Sequence, residues 1–257
     1  MASLNVPIVP VHVSQLWGRL YQFDEGKFTW CKTPYKPYPI FVNFGDAMPP
    51  SATEAEVKNA IALLGVASYT ARPLPYALLH HGFIRAARRN RKRMAIADAT
   101  SGELNYFKTL AGSIVFARKL KKLLDKQPMT GVIVPPSVGG VLTNVALQML
   151  GRVPINLNYT ASNDAIASCA RQCELTQTIT AKRVLERLPI EVPGKTIFLE
   201  DVKDSITKKD QVTGALLALF APIWLIERIL GTPRRSPDDL ATIIFSSGSE
   251  GEPRASC

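Results

Sequence analysis

From residue 131 onward the chain alternates short strand-like runs, most of them apolar, with helix-length segments, and this alternation restricts the fold more than any other feature. Residues 131–135, 153–157, 175–180, 196–199 and 240–245 read as strands. Between them, residues 138–150, 164–173 and 181–188 have helical spacing, and one long apolar helix is expected to end at Leu230. Ser137 stands where it can cap the helix from Val138, and Gly151 where it can close it. A strand that is apolar on both faces has to be covered on both, and crossover helices between such strands make them parallel. The fold class predicted is α/β with a parallel sheet.

The preceding residues have other textures. Residues 105–124 form an amphipathic helix with Phe107, Leu110, Ile114 and Val115 on one face and Arg118, Lys119, Lys121 and Lys122 in its last turns. Residues 94–98 read as a strand and Thr100-Ser101-Gly102 as a turn. Residues 1–66 are rich in Pro and aromatics, with strands expected in 6–13 and 39–44. Ser51 and Glu54 have capping-box spacing for a short helix that Gly65 would end. Pro73 and Pro75 mark a linker over 67–75. The domain reading is therefore 1–66, a linker at 67–75, and 76–257.

The 257 residues are 46% hydrophobic and 20% charged, enough to close a core, and carry a net charge of +10, which suits an anionic partner. No secretory leader is expected from the opening residues, and the most apolar window, 214–226, is shorter than the roughly 20 residues of a membrane span and contains Pro222. The densest basic run is Arg85, Arg88, Arg89, Arg91, Lys92 and Arg93. It reads either as a solvated helix end or as a dock for anionic lipid headgroups. Nucleic acid is disfavoured, because no aromatic platform for bases accompanies it. Leu216–Ile229 reads as a core helix, with an interfacial membrane helix as the alternative. Cys169 and Cys173 share a helix face without further metal ligands beside them and read as reduced thiols.

The segment that carries chemistry follows the last strand: Ser246, Ser247, Gly248, Ser249, Glu250, Gly251, Glu252, Pro253 and Arg254. A Ser/Gly loop after a buried strand turns successive backbone N–H groups and hydroxyls toward one concavity, as phosphate oxygens require, and Arg254 adds charge. The bland alternative is a Ser/Gly hairpin turn. Gly194-Lys195-Thr196 imitates the end of a Walker loop, but Pro189 stands where that motif needs glycine, and a strand follows instead of a helix.

The loop resembles the phosphate-binding motif of the adenylate-forming superfamily, T/S-S-G-S/T-x-G-x-P-K-G, through Pro253, with Arg254 and Ala255 in place of the usual Lys and Gly. Residues 131–161 resemble the opening αβ unit of its synthetases, in particular the acyl-carrier-protein synthetase half of bifunctional lysophospholipid-acylating proteins. Residues 1–66, through Val6-Pro7-Ile8-Val9-Pro10-Val11, Gln15-Leu16-Trp17-Gly18 and 41–50, are similar to the C-terminal part of 1-acylglycerol-3-phosphate-type acyltransferases. The resemblance implies an acyltransferase tail joined to the parallel-sheet N-terminal subdomain of an adenylate-forming enzyme. It further implies ATP with Mg²⁺, a fatty acid, acyl-carrier protein or CoA, and a lysophospholipid. The expected location is the cytoplasmic face of a bacterial inner membrane. None of His12, His80 and His81 has an Asp at the spacing of the acyltransferase catalytic pair. That pair is expected upstream of Met1, the ribose-binding residue and catalytic lysine beyond Cys257, and no turnover by this piece alone. The other expectation is an inert, membrane-associated remnant.

Overall fold

The computed structural model describes residues 5–14, 21–24, 27–30, 40–70, 78–246 and 254–256. The chain divides into two units, Met1–Pro75 and Tyr76–Cys257.

In the first unit, β1 (Val11–Ser14) pairs antiparallel with β4 (Phe41–Phe44), and β2 (Tyr21–Asp24) with β3 (Lys27–Trp30). Of the apolar stretch 6–13, only the end from Val11 is strand; Ile8 forms a single bridge to Met48. The β2–β3 pair was not legible. α1 (Glu54–Thr70) differs from expectation at both ends. Its capping box is Thr53 with Glu56, not Ser51 with Glu54: the Thr53 N–H and hydroxyl donate to the Glu56 carboxylate at 2.7 and 2.8 Å. Gly65 does not end the helix, so residues 67–70 are its last turn and not linker. Gly65 serves proximity instead, since a Cβ there would stand 3.3 Å from His12 Nε2.

The second unit opens with α2 (Leu79–Arg89), the hairpin β5 (Met94–Asp98) and β6 (Gly102–Asn105), and α3 (Tyr106–Leu123), capped by the Asn105 side chain. Then come β7 (Met129–Ile133), α4 (Val138–Met149), β8 (Val153–Asn156), α5 (Asn163–Gln172), β9 (Gln177–Thr180), α6 (Lys182–Arg187) and β10 (Lys195–Phe198). The order β10-β9-β7-β8-β11-β12 makes one sheet, in which β11 (Ile243–Ser246) is parallel to β8 and β12 (Arg254–Ser256) antiparallel to β11. Five strands are thus parallel, as the alternation predicted.

Both faces of the sheet are covered. Val132 and Ile133, consecutive in β7, belong to different apolar layers and so point to opposite faces. Each such side chain contributes about 1.5–3 kcal/mol when fully buried. β9 is buried at every position although three of its four residues are polar. Each of the three has a partner: Thr180 donates to the Ile133 carbonyl (2.8 Å), Thr178 to that of Pro193 (2.7 Å), and Gln177 accepts from Asp125 N–H (3.0 Å). Gly194, with φ +70°, turns the chain into β10 so close to Thr176 that a Cβ would lie 2.4 Å from its backbone. This turn accounts for the glycine of the Walker-like tripeptide. Cys169 and Cys173 are buried thiols, not joined in a disulfide, in the layer around Ile133 and Ile155. Burial, helped by Cys173, pushes the Cys169 thiol up.

The single long helix expected before Leu230 is three helices: α7 (Leu199–Asp204), α8 (Lys208–Phe220) and α9 (Ile223–Leu230). Thr207 starts α8 with a full capping box to Asp210. Pro222 breaks the chain again, because it has no N–H to donate and its ring crowds the preceding turn. The basic side chains of α3 hold these helices: Lys119 donates to the Ser205 carbonyl and to Asp210, both at 2.7 Å, and Lys121 to the Ile229 carbonyl at 3.2 Å. The Lys119 ammonium and the Thr207 N–H and hydroxyl hold the Asp210 carboxyl well below its usual range. Arg88, in the dense basic run, is also committed: its guanidinium donates to the carbonyls of Leu217, Ala218 and Ala221, the last turn of α8. Burial, with Arg91 nearby, lowers its basicity.

Candidate functional site

In an open parallel sheet, ligands bind outside the carboxyl ends of the strands, where the strand order reverses. Here β7 runs on to β8 on one side while β9 and β10 lie on the other, so the reversal falls between β7 and β9. A cleft of about 710 Å³ opens there. Its walls come from the segments that follow the strands: Pro135 and Ser137 after β7, Tyr159 after β8, Arg183 and Arg187 after β9, and Lys203 after β10.

The N-terminus of α4 points into this region, and two of its free N–H groups are taken. Ser137 Oγ accepts from Gly140 N–H at 3.1 Å, and Asp98 Oδ2 accepts from Val138 N–H at 2.7 Å. The other Asp98 oxygen accepts from Thr100 N–H at 2.8 Å and from Ser101 N–H. One carboxylate therefore ties the β5–β6 turn to α4 and occupies the place an external anion would take. The N–H groups of Ser101 and Val138 outweigh desolvation and hold the Asp98 carboxyl below its usual value. Across the cleft, Lys182 N–H donates to Glu200 Oε2 at 3.0 Å, and the Lys182 ammonium pairs with Asp201. The cleft's two carboxylates, Asp98 and Glu200, are both engaged, whereas Arg183, Arg187 and Lys203 form no ion pair among the described residues. Free cations beside Val134, Val184, Leu188 and Leu199 suit a ligand that is part apolar and part anionic.

Of the loop residues singled out in the sequence, Ser246 ends β11 and Arg254 begins β12, and the two are paired across the hairpin. Ser247, Gly248, Ser249, Glu250, Gly251 and Pro253 lie outside the described residues. Because β11 is parallel to β8, both described ends of the loop stand at the carboxyl edge that carries the cleft. The hairpin alternative and the phosphate-loop reading thus share one backbone frame. Sequence reasoning missed Asp98, Arg183, Arg187 and Lys203. A signal existed for Asp98, since Asp-x-Thr-Ser before a glycine is an Asx-turn pattern. The three cations carried none beyond their place just after strand ends.

Solved structures with the same fold include the N-terminal subdomain of Klebsiella oxytoca NpsA (16% identity, TM-score 0.54, covering 69% of this chain and 41% of that one). VinN in complex with 3-methylaspartate is similar at 20% identity and TM-score 0.51, covering 69% of this chain and 46% of that one. The nonribosomal peptide synthetase FmoA3 is similar at 17% identity and TM-score 0.53, covering 72% of this chain and 17% of that one. The chain thus spans less than half the length of these proteins. At such identities the likeness concerns the fold, which this chain shares with the NpsA N-terminal subdomain and VinN. The sequence itself matches the AMP-binding enzyme family over residues 83–255, well over half of the chain. The chain belongs to the AMP-binding enzyme family.

Proposed function

We propose that this chain is the ATP-grasping part of a ligase that activates a fatty acid and passes it to acyl-carrier protein or CoA for transfer to a lysophospholipid. One observation carries the reading: the Ser/Gly loop leaves a parallel strand at the carboxyl edge that also bears an apolar, cation-lined cleft. In the first step a carboxylate oxygen attacks the α-phosphorus of ATP, the bond to the β-phosphate breaks, and pyrophosphate leaves with its electron pair. In the second a thiolate attacks the acyl carbon and AMP departs. The loop's N–H groups and Arg254 would hold the phosphates. Arg183, Arg187 and Lys203 are placed to orient a carboxylate whose chain lies on Val184 and Leu188. Mg²⁺ would arrive on the triphosphate and neutralise charge there. Ser247, Ser249 and Glu250 offer oxygen donors of the hard class it takes.

The resemblance of residues 1–66 to an acyltransferase supports placing the transferase beside the ligase, on the cytoplasmic face of a membrane. Sequencing the native gene on both sides tests this: a His and an Asp four residues apart upstream and an adenylation region downstream are expected, and their absence overturns the fusion. For the chain itself, equilibrium dialysis should detect weak ATP binding that Arg254→Gln reduces, with no acyl-AMP formed. Acyl-AMP formation would refute the expected inactivity, and no ATP binding at all would count against the ligase reading.

A second reading, an inert membrane-bound scaffold, is favoured by Val212, Leu216, Phe220 and Trp224, which recur every four residues and stay exposed along α8 and the start of α9. No helix among the described residues is long and apolar enough to cross a membrane, so such a row would lie in the interface. A blue shift of tryptophan emission on adding anionic vesicles, lost in Trp224→Phe, is the expected sign. No shift removes this reading.

A further inference from the structure

His80 and His81, side by side at the start of α2, converge on a glutamate 146 residues away in α9. His80 Nε2 lies 2.9 Å and His81 Nε2 2.6 Å from the same oxygen, Glu227 Oε1. The three donor atoms fall within 4.8 Å of one another, and the imidazoles stand edge to face with centroids 4.5 Å apart. We propose that His80, His81 and Glu227 bind one divalent metal ion of the zinc class and staple α2 to α9.

The donor set defines the ion. Two imidazoles and one carboxylate suit Zn²⁺, Co²⁺ or Ni²⁺, whereas Mg²⁺ seeks all-oxygen sites, so this ion differs in kind from the one that accompanies ATP. Tetrahedral Zn²⁺ holds N and O donors at about 2.0–2.2 Å, which places neighbouring donors roughly 3.3–3.5 Å apart. The present spacings of 2.6 and 2.9 Å therefore need to open by less than about 1 Å. His80 is only 4% exposed and fixes one ligand in the protein. His81 and Glu227 are about a quarter exposed, which leaves solvent access for the ion and for a water in a fourth position.

Each imidazole meets Glu227 through Nε2, so binding an ion there would leave the ring proton on Nδ1 and free the Nε2 lone pair as the ligand. A plain structural role for this trio needs one histidine and one carboxylate. The second histidine, aimed at the same oxygen, is what a metal site adds.

The test uses the whole chain, stripped with chelator and titrated with Zn²⁺ in a calorimeter. One ion per chain should bind with a dissociation constant of about 10 μM or tighter. His81→Gln and Glu227→Gln should each weaken binding about 100-fold or more, and Zn²⁺ should raise the thermal midpoint of the parent but not of the variants. Co²⁺ bound to the unaltered chain should give the visible bands of a four- or five-coordinate nitrogen and oxygen site, a readout that does not depend on a variant folding. The proposal falls if the parent binds no Zn²⁺, or if both variants bind it as the parent does. It falls equally if the Co²⁺ spectrum has a sulfur charge-transfer band, which would place the ion on cysteine instead.

Discussion

The two units hold themselves together by different means. In the second unit, Ile84, Ile114, Ile133, Leu147, Ile155 and Ile179 are sealed from water inside a covered sheet. In the first, Val9, Val13, Val42, Phe44 and Val66 are exposed, and the buried side chains among the described residues include Ser14 and Ser68. There α1 is pinned to the β1–β4 pair by polar contacts: Ser68 Oγ accepts from Asn43 Nδ2 at 2.7 Å, lies 3.1 Å from His12 Nδ1, and donates to the Leu64 carbonyl at 2.8 Å. Five parallel strands with helices on both faces close a core, whereas two-stranded pairs and one helix supply too little surface to do so.

The largest expected effect breaks the apolar side of this comparison. Ile179→Ala should cost about 2–5 kcal/mol and lower the main unfolding midpoint, because the cavity would sit in the centre of the sheet. Val42→Ala, 47% exposed, should cost less than about 0.5 kcal/mol. Chemical denaturation of the two variants checks this, and equal losses would mean that the first unit closes an apolar core of its own.

The next effect sharpens the polar side. Ser68→Ala strands Asn43 and His12 and should cost about 1–3 kcal/mol, confined to the first unit and read as faster amide exchange over residues 54–70. Arg88→Met should have a similar cost but appear in the second unit, because it uncovers the last carbonyls of α8. Arg89→Met, at an exposed position of the same run, should be close to neutral. A basic run is therefore not one feature: a single guanidinium in it is part of the fold.

The same contrast explains what could be read from the sequence. Most of the second unit's strands and helices were legible because burial on two faces leaves short, mainly apolar runs such as those of β7 and β8, and the Ser137 cap and the Asn105 helix start were local signals. β6 and β12 were not legible: each is an edge strand of ordinary polar residues, specified by its pairing partner. The partition of α7, α8 and α9 was hidden because apolar residues run through Ala221-Pro222, and the engagement of Lys119 and Lys121 depends on carbonyls some 90 to 110 residues away. Of the candidate site, the Ser/Gly loop was visible as a motif. The cleft was not, since Arg183, Arg187 and Lys203 meet only after β9 and β10 take their places beside β7.

The smallest effect concerns the seam between the hairpin β5–β6 and the cleft, where the second unit, like the first, relies on a polar pin. The Asp98 carboxyl is held below its usual value by the N–H groups of Ser101 and Val138. Its contribution is therefore complete above the pKa of the unfolded chain, about 4, and is lost as pH falls through the lower folded value. Between pH 5 and 8 the pin should be insensitive to pH, and below about pH 4 amide exchange at Ser101, Val138 and Gly140 should accelerate ahead of the sheet. Asp98→Asn should produce that loosening already at neutral pH. Its amide has one acceptor oxygen for N–H groups that now use two, and its NH₂ would face a donor. If the asparagine variant protects these amides as the parent does, the carboxylate is not the pin.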